Sequence, residues 1–258
     1  KFGFQTAKIY INIANVPAKK KELIEYVKKD KRLFWLGVAE GAWNIGLTYF
    51  VKDVEEFFIL KNEIFSKFKE LIIDVQTATV VSVHYHDKTF LYNGISEWNS
   101  MFEKRDNLRL DDISKKILWA LFKNSRENIA KIAYDCNASV DIVRNRMRNM
   151  KEQQLIKKYT VLVNYEKLGY EFYKTFLYFR SIDSKEMDRF MNYIKRNSSA
   201  INLVKQISPW DIELESFCKS FNEYNSMISQ LTEEFSENIQ KVETAIMSED
   251  YVFPSKLL

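Results

Sequence analysis

Residues 127–163 read ENIAKIAYDCNASVDIVRNRMRNMKEQQLIKKYTVLV, and the middle of the chain turns on this stretch. Glu127 to Asp135 predicts a helix with Ile129, Ile132 and Ala133 inward. Asn137-Ala138 makes a turn, and Ser139 caps a further helix that reaches about Glu152. At about 100° per residue, Val140, Val143, Met147 and Met150 share one face of that helix. Asp141, Asn145 and Arg148 point away from it, and Arg144 and Arg146 flank the apolar stripe on opposite sides. Upstream, Asp111 or Asp112 caps a helix whose stripe is Ile113, Ile117, Leu118 and Leu121. Downstream, Ile156 to Val163 predicts a strand. Two short helices about a tight turn, followed by a strand, predict a winged helix-turn-helix.

The charge is uneven in the same place. Residues 109–163 hold 12 Lys/Arg against 6 Asp/Glu, so the rest of the chain is slightly acidic although the total is +4. A basic patch on a near-neutral protein is an electrostatic footprint for nucleic acid. A helix lodged in the major groove needs the division seen after Ser139, with apolar residues gripping the domain and donors facing outward. Arg144, Asn145 and Arg148 are the expected base-facing residues, beside Asp141 and the cap Ser139. Arg146, Lys151, Lys157 and Lys158 are expected nearer phosphates. The competing reading is an ordinary amphipathic helix with a solvated outer face.

Outside this segment the chain repeats. Lys1-Phe2-Gly3-Phe4 matches Lys167-Leu168-Gly169-Tyr170, and after one insertion the register holds from Tyr26 with Tyr193 to Val75 with Val242. Trp43 falls with Trp210, and Phe68 with Phe235. Each copy reads strand, helix, strand, strand, helix, strand. In the first, Ala7–Ile13 alternates as a half-buried strand, Lys19–Lys29 is helical, and Leu33–Ala39 and Asn44–Val51 flank a turn at Glu40-Gly41. Asp53 caps a helix with Phe57, Leu60, Ile64 and Phe68 on its stripe, and Ile72–Val83 closes as a β-branched strand. The second copy runs from Phe172 to Met247. The expected fold class is α+β, with the winged helix-turn-helix between two ferredoxin-like βαββαβ modules. The expected boundaries are 1–87, a linker at 88–108 with one helical turn around Trp98 and Phe102, 109–163, and 164–258.

Several classes are excluded or left thin. No apolar run approaches the ~18 residues of a membrane span, and no signal peptide is visible. Cys136 and Cys218 fit no metal or redox spacing and read as core residues, which suits a reducing cytoplasm. His84 and His86 share a face at the end of one strand. They are candidates to bind a metal or anchor a substrate carboxylate, against the plainer reading of a polar strand edge at the solvent boundary. No metal and no cofactor are expected. No nucleotide loop, nucleophile elbow or zinc-protease motif is present.

The residues also carry a resemblance. Leu110-Asp111-Asp112-Ile113-Ser114-Lys115-Lys116-Ile117-Leu118 is similar to the opening of Lrp/AsnC (feast/famine) regulators. The likeness continues through Arg126, Ile129 to Ala133, Ser139, Val143, Arg146-Met147 and Met150. It closes with Leu155 to Tyr159 and Lys167 to Tyr170. Copy one then resembles a second effector module of that family. The resemblance implies a transcription factor that binds double-stranded DNA, pairs its α/β modules sheet to sheet as a dimer or higher oligomer, and binds an amino acid or similar metabolite. Ser114 and Gln154 depart from the family's acidic residue and glycine. The effector loop, Gly-x-Tyr/Trp-Asp in the family, reads Gly41-Ala42-Trp43-Asn44 in copy one and Ser208-Pro209-Trp210-Asp211 in copy two. Gly41, Trp43, Asn44, Ser208, Trp210 and Asp211 are therefore the expected effector residues, and packing is the other role open to both tryptophans. Two copies in one chain suggest that the modules pair with each other and imitate the family's dimer. Copy one begins where a preceding wing would end, so a second helix-turn-helix is expected upstream of Lys1. Siroheme decarboxylases of haem synthesis share this build and supply the enzyme alternative.

Overall fold

A computed structural model describes residues 3–86, 88–91, 99–101 and 110–253. They form two compact units, one centred on 110–163 and the other holding 4–86, 88–91, 99–101 and 164–252.

Among the described residues, the second unit holds nine strands and four α-helices. Its first half runs β1 (Gln5–Ile13), α1 (Pro17–Val27), β2 (Leu33–Gly41), β3 (Ile45–Val51), α2 (Val54–Phe68) and β4 (Ile72–Tyr85), followed by a short β5 (Asn99–Met101). The helical unit then supplies α3 (Asp112–Lys123), α4 (Ile129–Cys136) and α5 (Val140–Glu152). The second half of the sheet unit runs β6 (Glu171–Phe179), α6 (Ser184–Ile194), β7 (Ala200–Ile207), β8 (Ile212–Cys218), α7 (Phe221–Glu234) and β9 (Ile239–Val252). Local signals start these helices. Pro17 opens α1, Asp53 accepts from the Glu56 amide, Asp183 and Glu186 form a reciprocal capping box, and Ser220 accepts from the Glu223 amide.

Every ladder among the described residues is antiparallel, and the pairing closes on itself. The two 14-residue strands make the closure. The first half of β4 lies on β1, and its second half lies on β7 from Thr79↔Ile207 to Tyr85↔Asn202. β9 does the same, from β6 onto β2, ending at Trp35↔Val252. Eight strands therefore form a ring in the order β1-β3-β2-β9-β6-β8-β7-β4, with β5 added beside β4. Closure pairs the backbone edges that an open four-stranded module leaves exposed.

Alternation divides each strand between two cores. Tyr173 and Leu177 of β6 pack with Phe190, Tyr224, Leu231 and Phe235 under α6 and α7. Lys174 and Phe176, one residue off, face the other half of the ring. Gly41 ends β2 at φ +116°, where an added Cβ would lie 2.4 Å from the Thr244 carbonyl oxygen, so only glycine fits.

Three expectations need correction. Residues 156–163 form no strand: Val161 and Leu162 are both exposed, and the backbone joins no ladder among the described residues. Alternation in sequence proposes a strand, but only a neighbour's N–H and C=O groups make one. The expected turn at Glu40-Gly41 lies one step later, because β2 continues to Gly41 to pair with Ala245. The expected linker contains β5, held by β4 from Val83↔Met101 to Tyr85↔Asn99, while its expected helical turn at Trp98 and Phe102 lies outside the described residues.

Candidate nucleic-acid interface

Local chemistry fixes the helical unit. Asp111 caps α3 by accepting from the Ser114 amide at 2.8 Å, and Asn128 caps α4 through the Ala130 amide at 2.8 Å. Asn137, in the left-handed region at φ 53°, ends α4 and turns the chain. Ser139 Oγ accepts from the Ile142 amide at 3.2 Å and starts α5. Gln154, where the resemblance expects glycine, takes φ 55° at the end of α5.

One side of α5 is anchored. Val143 is fully buried and Met150 is 3% exposed, packed with Ile117, Leu121, Ile132, Ala133 and Cys136, while Val140 and Met147 are partly buried against them. Burying a side chain of this size contributes about 1.5–3 kcal/mol. Asp141, Arg144, Asn145, Arg146, Arg148 and Lys151 lie on exposed positions. Their contacts are short-range and solvated. Arg144 pairs with Asp141 at 2.6 Å, Arg148 donates to Asn145 Oδ1 at 3.2 Å, and Lys151 sits 5.3 Å from the Tyr159 ring centre. Pairs of this kind contribute about 0.2–1 kcal/mol, so an arriving phosphate or base edge can replace them. Arg146 differs: it pairs at 2.6 Å with Asp111 on the neighbouring helix end. The Ser114 amide, and then Arg146, hold the Asp111 carboxyl below its usual range. The residue expected at a phosphate thus also ties α5 to α3. Lys157 is exposed, but Lys158 is half-buried, and burial lowers its pKa. Sequence reasoning passed over Tyr134 of α4, a large aromatic left 86% exposed, whose signal was an aromatic off the apolar stripe.

The expected effector residues are held differently. Trp43 and Trp210 are both buried beside Tyr10, each with its ring centre 5.2 Å from that of the tyrosine. Asn44 accepts from the Ile13 amide at 3.0 Å and Asp211 from the Phe179 amide at 2.8 Å, which are matching positions in the two halves. Ser208 donates to the Trp210 carbonyl, and Gly41 meets β9.

Beside these rings lies a charged cluster that sequence reasoning missed. Lys8 and Lys174 both reach Glu213 at 2.7 Å, Tyr10 donates to it at 2.6 Å, and Lys174 also pairs with Glu215. Lys8, Lys174 and Glu213 are buried. Burial alone would raise the Glu213 pKa, but Lys174 and Lys8 outweigh it and hold the carboxyl well below its usual range. The cluster is lopsided because the strand pairs Lys174↔Glu215 and Phe176↔Glu213 are matched in the first half by Lys8↔Thr48 and Tyr10↔Gly46. The missing side chain of Gly46 leaves room for Trp35, whose ring lies 2.8 Å from where a Cβ would sit. Trp35 in turn lies 4.0 Å under the Lys174 ammonium.

The histidines separate. His84 is half-buried, with Nε2 3.2 Å from Ser82 Oγ. His86 is 3% exposed, with Nδ1 3.1 Å from Thr89 Oγ1, which itself donates to the Ser198 carbonyl. Burial, with Lys195 adding to it, pushes the His86 pKa down to about 4. The solvent-boundary reading therefore fails for His86, because a 3-10 turn at Thr89–Leu91 follows the strand end. Cys136 and Cys218 are buried free thiols. Among the described residues, no helix is long and apolar enough to cross a membrane, and no three His, Cys, Asp or Glu side chains are grouped to hold a metal.

No family model matches the chain. Over 64 residues it is 39% identical to an uncharacterised HTH-type transcriptional regulator of Pyrococcus furiosus, covering 25% of this chain and 43% of that protein. A similarly described regulator of Pyrococcus horikoshii is 38% identical over 64 residues, with the same coverage. The chain thus spans less than half the length of the curated relatives it matches. Among solved structures, the siroheme decarboxylase NirDL matches with TM-score 0.67 at 11% identity, covering 96% of this chain and 72% of that one. An AsnC family transcriptional regulator from Agrobacterium tumefaciens matches with TM-score 0.52 at 17% identity, covering 58% and 97%. A Neisseria meningitidis transcriptional regulator in complex with L-Met gives 0.51 at 15%, covering 57% and 98%. Across a quarter of its length the chain is therefore similar in sequence to HTH-type transcriptional regulators, and in fold it is similar to AsnC-type regulators and to a siroheme decarboxylase.

Proposed function

We propose that the protein is a cytoplasmic, sequence-specific regulator of transcription that docks α5 in the major groove of double-stranded DNA, and that it is not an enzyme. One observation carries the reading: α5 buries Val143 and Met150 in its own unit, leaves Asn145 and Arg148 exposed on the side away from them, and leaves Arg144 exposed at the flank. The names of the Pyrococcus relatives support it. Ser139 and Asp141 sit at the N-terminal end of α5, and Lys151, Lys157 and Lys158 at its C-terminal end and beyond, nearer phosphates in this reading. The test is binding of the full chain to duplexes it selects from a random pool, followed by fluorescence anisotropy. Arg148→Ala lowers affinity for the selected site by about 1–3 kcal/mol and relaxes specificity at one base pair. Lys157→Ala weakens all sequences alike and reduces the salt slope by about one phosphate contact. An unchanged isotherm for Arg148→Ala removes the assignment.

An amino-acid-like effector at the Trp43 and Trp210 loops belongs to the same proposal. It has to displace the packing around both rings and the bonds of Asn44 and Asp211, so binding is read as a thermal shift on adding single amino acids. A second reading, a siroheme-decarboxylase-like enzyme, draws on one observation: fold similarity to such an enzyme extends over 96% of the chain. A tight, stoichiometric change in absorption when siroheme is added favours it, and no change removes it.

A further inference from the structure

Closing the strand ring changes how a second copy of this chain can attach. Sheet-to-sheet pairing is satisfied within one polypeptide, because β2 pairs with β9 and β4 with β7. The outer faces of the helices remain as a surface for further self-association. In position, α2 and α7 match, yet their outer faces differ. On α2, Val54 is 66% exposed, Phe58 58% and Phe65 40%, although the opposite side already buries Leu60, Ile64 and Phe68. The corresponding positions on α7 are Phe221, Asn225 and Thr232, so only the first is apolar.

We propose that α2 is the seat of a second copy of this chain, packed antiparallel along the seam Val54, Phe58, Asn62 and Phe65. The spacing of four, four and three residues keeps these side chains on one face. Charge selects the antiparallel direction. Glu55 stands beside the seam at the helix start and Lys69 beside the same flank at its end, both exposed. Crossing two helices at Asn62 sets Phe58 against the partner copy's Phe65 and Glu55 near its Lys69, each twice by symmetry. A parallel pair would instead stack like charges. At on the order of 100 Å² for each half-exposed phenylalanine, the seam covers about half of the ~800 Å² per partner of a standard interface. The dimer is therefore reversible, and the charged ends do the selecting. The dimer itself does not rest on the DNA reading.

Sedimentation equilibrium of the full chain over a concentration series tests this. The wild type moves from one to two chain masses as concentration rises. Phe58→Glu stays at one mass with its circular dichroism unchanged, whereas Asn225→Glu, at the matching place on α7, dimerises as the wild type does. Glu55→Lys and Lys69→Glu each weaken the dimer at least threefold, and the double variant regains it. A wild type that stays at one mass throughout, a Phe58→Glu chain that still dimerises, or a double variant no tighter than the single ones overturns the proposal. Because no DNA is present, failure here leaves the nucleic-acid reading standing, and loss of DNA binding by Arg148→Ala leaves the dimer standing.

Discussion

Arg144 lies exposed at the flank of the apolar stripe of α5, its guanidinium 2.6 Å from Asp141 one helical turn away. Lys174 lies inside the strand ring, held between Glu213 and Glu215 over the Trp35 ring. Both are cations paired to carboxylates at short distance. Water separates their roles: an exposed pair contributes a fraction of a kcal/mol and can be exchanged for another anion, whereas a buried one cannot lose a partner without stranding a charge. Pair distance alone would rank the two regions equally. Burial shows which cations are available to a ligand and which hold the two halves of the ring together.

The sharpest way to break this comparison is Glu213→Gln. Lys8 and Lys174 then lose their shared counter-charge, and urea unfolding should show a loss of about 3–5 kcal/mol. Replacing Lys8, Lys174 and Glu213 together by Met, Met and Leu should recover most of it. If the single change costs no more than a surface substitution, the ring is not held by this cluster.

Acid addresses the interior a second way. The His86 imidazole takes a proton near 6.5 when unfolded and near 4 when folded. Between those values the unfolded chain binds more protons, so stability falls as pH drops from 6.5 to 4, by up to about 3 kcal/mol. His86→Gln should flatten that part of a stability-against-pH curve, and an unaltered curve would place the acid sensitivity elsewhere.

On the helical unit the effects are smaller. Ser139→Ala removes the α5 cap and should cost about 1 kcal/mol. Faster hydrogen exchange at the Ile142 amide, with the ring amides unchanged, is the expected signature. Least of all, Asp141→Asn should change stability by less than about 0.5 kcal/mol, because its pair with Arg144 is solvated. It should nevertheless tighten DNA binding slightly by freeing Arg144. A stability loss like that of Glu213→Gln would erase the distinction between the two regions.

The sequence by itself determined which segments are helical and two of their caps, Asp53 and Ser139, although α1 starts at Pro17 and α4 at Ile129, not at the expected Lys19 and Glu127. Asp53, Asp111, Ser139 and Ser220 each cap a helix through an amide three residues ahead, a contact that needs no distant partner. It also determined the order of elements in each half and the buried side of α5, because periodicity reports which face avoids water. Only the tertiary structure decided that the strands close into a ring, that Lys8 and Lys174 lie inside it, that His86 is buried, and that 156–163 gains no ladder. Each of these depends on a neighbour far along the chain: Lys8 is 205 residues from Glu213. A lysine reads as a surface residue until another segment supplies its counter-charge, and a strand remains a pattern until another backbone pairs with it.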